Sequence, residues 1–356
     1  MAATRETEMD RILTGMSAFR YHRIPPQVLA LYPPLPEAFE DPRHNKIAQS
    51  PIVEDLLGTP VHRLMPSGYK ATASKLYRTH VVSRELPFGS VVDTEHGFQV
   101  ASPALALLTL AGELSRGQLL MAAYELCGTY SAFAPSAHTE RLLAEAISHG
   151  SLSGRDGWQR VIGSGGRPLN LWKRSPLLGA EELAGFLEQA QGLHGVKHLR
   201  WAASHVTGTC ASPFEAQVSI LLGLPKASGG LGVRFENNRR IALSGQAQQL
   251  YQRSCCYADL FFEEDAAHPP VALECQGASV HSGEAAALSD AARTAALQLM
   301  GVDVIPVTHE QIKRPESWVA VKRLLAKRLG ASMDKTSRQL RAETILRHEL
   351  LGPAAA

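Results

Sequence analysis

Cysteine is scarce in this chain of 356 residues, and its spacing indicates neither a disulfide framework nor a zinc site. The five cysteines are Cys127, Cys210, Cys255, Cys256 and Cys275. An odd, sparse set without a C-x-x-C pair is typical of a reduced protein, so we expect a cytoplasmic location. An excess of one charge is also lacking. Because 36 lysines and arginines face 34 aspartates and glutamates, the net charge of +2 identifies no partner.

Long hydrophobic runs are missing as well. The most apolar window, residues 100–114, contains Pro103 and Glu113. It is shorter than the roughly 20 apolar residues that a membrane-spanning helix needs. Residues 1–16 are charged and lack an apolar core, so we expect no signal peptide. These absences predict a protein without a membrane partner.

What the chain does have is an ordinary globular composition, with 45% hydrophobic and 20% charged residues. Its length is typical of about two domains. Composition and pattern divide it into an extended proline-rich segment, a small α+β domain, a linker with helices, a larger domain and a basic helical tail. The boundaries are 1–50, 51–150, 151–204, 205–312 and 313–356.

The first half predicts strands followed by helix. Proline recurs through residues 24–60, which predicts extended chain with one short helix at 53–57. The stretches VHRLM, HVVSREL and VVDTEHGFQV are rich in β-branched residues and predict strands. A helix is expected from Ser102, a good N-cap followed by proline, through residue 128.

The second half predicts a mixed β-sheet flanked by helices. Helices are expected near 179–192 and 196–206, after Ser212-Pro213, and at 285–300. Five strand candidates are GGLGVRF, RRIAL, YADLFFE, VALECQG and DVIPVT. The fold class is therefore α/β, or α+β overall, with a smaller N-terminal α+β domain.

Three carboxylates of this half lie in the first turn of a predicted helix or in predicted strands. Glu215 lies in the first turn of the helix after Ser-Pro, where the helix dipole alone would favour an acid. Asp259 lies inside an apolar strand, and Glu274 ends the next one, 15 residues later. Buried acids are costly unless they are paired or bind a metal. Two such acids on neighbouring strands predict a divalent cation between them, and Mg²⁺ suits a site of this kind.

The ordered stretches SPFEAQ, YADLFF, ALECQGASVH, SDAARTAALQLMG and VDVIPVT resemble the PD-(D/E)XK nuclease superfamily. The likeness covers about residues 205–312 and is greatest to the small branch with the very-short-patch repair endonucleases. It implies a restriction-endonuclease-like fold, with Asp259 and Glu274 holding Mg²⁺ or Mn²⁺ and Glu215 near them. Gln276 stands where the family usually has lysine, so it could orient water without adding charge. His281 would be a general acid or a phosphate donor.

Basic residues complete the expected nucleic-acid surface. Arg293 could reach a phosphate, or pair with Asp290 one turn earlier. In the tail, we expect a helix whose apolar face packs on the sheet. Four of its charged side chains would then face DNA or, alternatively, only solvent. The apolar residues are Val319, Leu324, Leu325 and Leu329, and the charges are Lys322, Arg323, Lys327 and Arg328.

The segment RTHVVSRELPFGSVVDTEHGFQVASPALALLTLA is similar to the middle domain of abortive-infection-type antitoxin proteins. This resemblance implies a possible protein partner for residues 51–150. The leading functional hypothesis is Mg²⁺-dependent hydrolysis of DNA phosphodiesters. The alternatives are a catalytically degenerate nucleic-acid-binding or regulatory protein and a component of a toxin–antitoxin pair.

Overall fold

The computed structural model describes residues 12–35, 46–149, 157–163, 166–266, 268–277 and 284–352. The chain is α+β and forms two compact units. The first unit takes residues 1–127, 131–159 and 170–204, and the second takes 128–130, 160–169 and 205–356. Among the described residues, no helix combines the length and apolarity needed to cross a membrane.

The first unit is built on a five-stranded sheet of order β3-β2-β1-β5-β4. Its strands are β1 (Ile12–Leu13), β2 (Val61–Pro66), β3 (Tyr77–Val82), β4 (Val91–Asp93) and β5 (Gln99–Ala101). Its helices are α1 (Gly15–Arg23), α2 (Pro26–Leu29), α3 (Pro103–Leu110), α4 (Arg116–Cys127), α5 (Ala137–Ser148), α6 (Ala180–Gln189) and α7 (Val196–Ala203). One 3₁₀ turn (Lys46–Gln49) and one π turn (Val53–Leu57) precede β2.

Two expectations for this unit need correction. Residues 12–29 are not an extended lead-in, because β1 pairs with both β2 and β5 and α1 and α2 follow it. The helix expected from Ser102 to residue 128 is two helices, α3 and α4. Ser115 caps the second, because its Oγ accepts a hydrogen bond from Gln118 N and its own N–H donates to the Gln118 carboxamide. This reciprocal pair is a capping box, which starts a new helix.

The second unit contains a four-stranded sheet of order β12-β11-β10-β9. The strands are β9 (Glu236–Ala242), β10 (Cys255–Phe262), β11 (Val271–Gln276) and β12 (Asp303–Thr308). Neighbours pair antiparallel except β11 and β12, which are parallel. The helices are α8 (Pro213–Gly223), α9 (Gly245–Tyr251) and α10 (Glu284–Leu299), then α11 (His309–Lys313), α12 (Pro315–Arg328) and α13 (Ser337–Leu351). A 3₁₀ turn covers Lys226–Ser228.

One of the five expected strands is absent, and one helix was missed. The stretch GGLGVRF is irregular because Gly229 and Gly232 have φ angles of 96° and 78°, which a β-strand does not use. Helix α9 lies between β9 and β10 and was not expected. Leu243, Ala247 and Cys256, from this region, pack in one core cluster with Ala296 and Leu297 of α10.

Three shorter strands form a third sheet of order β6-β8-β7. They are β6 (Tyr130–Ser131), β7 (Gln159–Ile162) and β8 (Pro168–Lys173).

The basic tail is helical, as expected, but its faces differ from the prediction. Helix α12 buries Trp318, Val321, Leu325 and Ala326, a stripe with helical spacing, whereas Leu324 is exposed. Lys322 lies in this buried stripe and is only 5% exposed, so the prediction that it faces nucleic acid is wrong.

Glu343 of α13 explains why a lysine can be buried there. Its two carboxylate oxygens form ion pairs with the ammonium groups of Lys322 and Lys335. Burial raises the pKa of Glu343, but the hydrogen bonds and charges of both lysines outweigh it, so the net shift is downward. The carboxylate therefore stays ionised and compensates two buried cations.

We predict that Glu343→Gln lowers the free energy of unfolding by about 3 kcal/mol, because it leaves two buried ammonium groups without a counter-charge. Urea unfolding measured by tryptophan fluorescence checks this. The control is Glu310→Gln, which removes an ion pair with Arg314 at 2.8 Å between exposed side chains. That change should cost less than about 1 kcal/mol. Similar small losses in both variants would show that the buried triad contributes little.

Candidate functional site

Asp259 and Glu274 are brought together by the pairing of β10 with β11. The paired stretch ends at Leu260 and Leu273, and Asp259 and Glu274 are the residues that adjoin this last pair. Glu274 is 4% exposed, and Asp259 is half-buried. The two acids therefore lie on neighbouring strands, and a cation between them stays a prediction.

The carboxylate of Asp259 is bound to the backbone of the neighbouring strand. Its Oδ2 accepts a hydrogen bond of 2.6 Å from the N–H of Cys275. On the other side, β9 pairs with β10 at Arg239–Ala258 and at Asn237–Leu260. Between these pairs, Asn238 has a φ of 52°, a left-handed conformation that interrupts the ladder opposite Asp259. The acid thus lies at a local break in the sheet.

Glu215 lies in the first turn of α8, and both of its oxygens have local partners. Oε1 accepts from the Ser212 hydroxyl at 2.8 Å, and Oε2 accepts from the Ala211 N–H at 2.7 Å. Ser212 caps the helix in return, because its Oγ accepts from Glu215 N. These contacts stabilise the helix start, and they also hold the carboxylate in a fixed position.

Asn237 links this helix to the acid-bearing strand and was not singled out from the sequence. Its Nδ2 donates to Ser219 Oγ at 2.7 Å and to the carbonyl oxygen of Asp259 at 3.2 Å. Ser219 Oγ in turn donates to the carbonyl oxygen of Glu215 at 2.7 Å. The strand expected from Arg239 begins three residues earlier, at Glu236, which is why Asn237 fell outside it.

Arg293 of α10 contacts the buried acid. Its Nη2 lies 2.8 Å from Glu274 Oε2, and 3.9 Å from Asp290 Oδ1. Neither Glu274 oxygen makes a hydrogen bond within the described residues, so the contact is an ion pair and Oε1 has no polar partner there. The pairing with Asp290 that the sequence indicated is therefore the weaker of two, and the main partner is Glu274.

The electrostatics of this cluster, which comprises Glu215, Asp259, Glu274 and Arg293, disfavour three negative charges. Burial, and then the charge of Asp259, raise the pKa of Glu274 to about 8 despite Arg293. The same two causes raise the pKa of Glu215 to about 7. Burial acts to lower the pKa of Arg293, but the neighbouring carboxylates outweigh it and the net shift is upward. Added positive charge would therefore stabilise the cluster.

The remaining predicted residues are less closely associated with the acids. Gln276 is exposed at the end of β11, level with Thr308 of β12. His281 lies outside the described residues.

Within the described ranges, one set of three His, Cys, Asp or Glu side chains has one possible ligand atom from each residue within 4.8 Å of the others, and it is in the first unit. Glu215, Asp259 and Glu274 do not form such a set.

A cavity of about 440 Å³ adjoins Arg293. Arg253 and Tyr257 also line it, and Tyr257 is 47% exposed.

In the tail, Arg323 and Lys327 are exposed and make no ion pair with the described residues, whereas Arg328 pairs with Asp303 at 3.0 Å. Two of the four predicted tail cations are thus accessible without breaking a contact.

Comparisons with protein-family models, with curated proteins and with solved structures find no match for this chain. The candidate site therefore rests on its own geometry.

The raised pKa values predict how stability depends on pH. Glu274 and Glu215 have pKa values of about 8 and about 7 in the folded state, against an ordinary 4.5. At pH values between 4.5 and about 8, the folded chain holds protons that the unfolded chain has released. The free energy of unfolding therefore falls as the pH rises. We expect Glu274→Gln, which stays neutral, to weaken this fall. Thermal unfolding with a metal chelator between about pH 5 and pH 8 measures it.

Glu263→Gln is the matched control, because Glu263 follows β10 and its side chain is 61% exposed. Its pH profile should match that of the unmodified chain. If Glu274→Gln also leaves the slope unchanged, Glu274 does not hold a proton at neutral pH.

Proposed function

We propose that the second unit binds Mg²⁺ or Mn²⁺ through Asp259 and Glu274 and hydrolyses DNA phosphodiester bonds. The observation that carries the proposal is the carboxylate of Glu274, which is 4% exposed, makes no hydrogen bond in the described structure and lies near enough to Asp259 for that charge to raise its pKa. Burial of an ionised carboxylate is costly unless a cation or hydrogen bonds compensate it. A divalent ion would provide that compensation.

The donor set fits a hard cation better than a soft one. Mg²⁺ binds oxygen ligands and is often held by one or two carboxylates together with substrate oxygens. The nearby thiols of Cys210 and Cys275 are not suited to zinc, because burial raises the pKa of each well above its usual range and keeps it neutral. The buried Glu274 Oε1, which accepts no hydrogen bond among the described residues, is an atom whose unmet need for a partner a cation would satisfy.

Arg293 can supply the charge that Gln276 lacks. A family lysine would offset negative charge on the phosphate, whereas a glutamine can only orient water. Arg293 contacts Glu274 and also lines the adjoining cavity, so its guanidinium can bind a phosphate oxygen there. A bound Mg²⁺ would neutralise negative charge on the same phosphate. The proposed role of His281 as a general acid stays a prediction.

A second candidate function is nucleic-acid binding without hydrolysis, as in a regulatory protein or a component of a toxin–antitoxin pair. The ion pair of 2.8 Å between Arg293 and Glu274 favours it, because a guanidinium already compensates part of the buried charge. In that case the cluster would be structural, and residues 51–150 would contact a protein partner.

The first test is cleavage of supercoiled plasmid DNA with Mg²⁺ or Mn²⁺. We expect Asp259→Asn and Glu274→Gln each to lower the rate about 100-fold or more, because each removes a charged ligand. Calorimetric titration with Mn²⁺ should show the matching loss of affinity. Glu263→Gln, an exposed acid beyond the same strand, is the control and should keep both activities.

A further variant, Gln276→Lys, should keep or raise the rate because it adds the missing charge. Absence of cleavage in the natural chain, with unchanged Mn²⁺ affinity in all the acid variants, would rule out the hydrolase. Cleavage by the lysine variant alone would favour the regulatory function.

The second test is DNA affinity at several salt concentrations. Each phosphate neutralised adds roughly −0.9 to the slope of log K against log salt on duplex DNA. Changing Arg323 and Lys327 together to Gln should therefore flatten the slope by up to about 2. Arg314→Gln is the control, because that exposed arginine is paired with Glu310 and should contribute less. Equal slopes in all three proteins would show that this face of α12 only meets solvent.

A further inference from the structure

Two histidines of the first unit lie on one face of its sheet. Strands β2 and β3 run parallel, with His62 opposite Arg78 and Leu64 opposite His80. Because alternate residues of a strand point to the same face, His62 and His80 are diagonal neighbours. Glu113, in the turn between α3 and α4, meets them there.

The three side chains place one donor atom each at a common point. His62 Nδ1 lies 2.9 Å from His80 Nε2. Glu113 Oε1 lies 3.6 Å from His80 Nε2, and Glu113 Oε2 lies 4.0 Å from His62 Nδ1. In a tetrahedral zinc site with bonds of about 2.0–2.1 Å, neighbouring donors are about 3.3 Å apart. One of the three observed separations is shorter than that value and two are longer. Small side-chain rotations would bring all three close to it.

We infer that His62, His80 and Glu113 bind a divalent transition-metal ion of the zinc class. Two imidazoles and one carboxylate are a donor set that Zn²⁺ accepts, with a fourth position open to another ligand. This chemistry differs from that proposed for Asp259 and Glu274, which offer only oxygen atoms.

The two histidines are suited to act as ligands because they are neutral. Burial, and then the charges of neighbouring groups, lower the pKa of His62 to about 4. Burial and the charge of Arg78 do the same for His80. An uncharged imidazole presents a lone pair, which a metal ion requires.

The charged groups that face the histidines are Glu113, Arg78 and Arg20. Arg78 Nε lies 2.9 Å from Glu113 Oε1, so it orients the carboxylate.

Gly15, the first residue of α1, keeps space beside the donor atoms. Its φ is 51°, and a Cβ there would lie 2.7 Å from His62 Nδ1 and 3.2 Å from His80 Nε2. Any other residue would therefore crowd both nitrogens. The same site has room on another side, since His80 and Glu113 also line a cavity of about 570 Å³. A fourth ligand, such as water or a small anion beside Arg78, can enter from it.

The test is calorimetric titration of Zn²⁺ into the full chain, with Mg²⁺ present to compete at oxygen-only sites. The visible absorption of tetrahedral Co²⁺ provides a second measurement. We expect one tight site, and at least a tenfold loss of affinity in His80→Ala and in Glu113→Gln, since loss of even an outer-shell contact weakens binding 10- to 100-fold. Zn²⁺ should also raise the unfolding temperature of the unmodified chain, but not that of His80→Ala or Glu113→Gln.

His149→Ala is the matched control, because His149 is an exposed histidine of the same unit. It should keep full affinity, and so should Glu274→Gln. The proposal is overturned if the unmodified chain binds no Zn²⁺, or if its affinity is equal in all of these proteins. The two histidines would then only share a hydrogen bond with each other. Should His80→Ala not fold, as judged by circular dichroism, Glu113→Gln decides, because its shape is unchanged.

Discussion

The second unit is organised around a carboxylate, that of Glu274, which is buried where a charge is unfavourable. Glu274 is 4% exposed, and Ala272 of the same strand packs in a core cluster with Ala296 and Leu297 of α10. Part of the compensation comes from Arg293, and Asp259 opposes it by adding a second negative charge. The other contacts of the cluster serve to hold this arrangement. Asn237 fixes the strand that carries Asp259, and Ser212 fixes the helix that carries Glu215.

Charge burial is handled differently in three places. In the tail, one acid pairs with two lysines, so each buried ammonium group has a carboxylate partner. In the first unit, His62 and His80 become neutral instead, and their lone pairs stay available. Only in the cluster of Glu215, Asp259, Glu274 and Arg293 do the acids outnumber the cation. This excess of acids over cations, which a divalent ion would allow to ionise, is the reason for placing the proposed cation there and not at the Lys322–Glu343–Lys335 triad.

The sequence predicted features that depend on local patterns. Helix α8 after Ser212 and the neighbouring strands β10 and β11 follow from capping and alternation, and the structure agrees. Features that depend on distant contacts were missed. Strand β1 has two residues and no periodicity, and α9 is short. The burial of Lys322 depends on Glu343, 21 residues away on another helix, which spacing within α12 cannot show.

The histidine cluster shows the same limit most clearly. His62 and His80 become neighbours because β2 and β3 are parallel although only ten residues, 67–76, connect them. A short connection normally indicates an antiparallel hairpin, in which a different set of residues would face each other. Glu113 joins them because Ser115 starts a new helix and so leaves a turn at 111–115. The two proposed sites then differ in ligand chemistry, imidazole with carboxylate in one unit and carboxylates alone in the other. That difference would let the first site favour ions of the zinc class and the second site favour ions of the magnesium class.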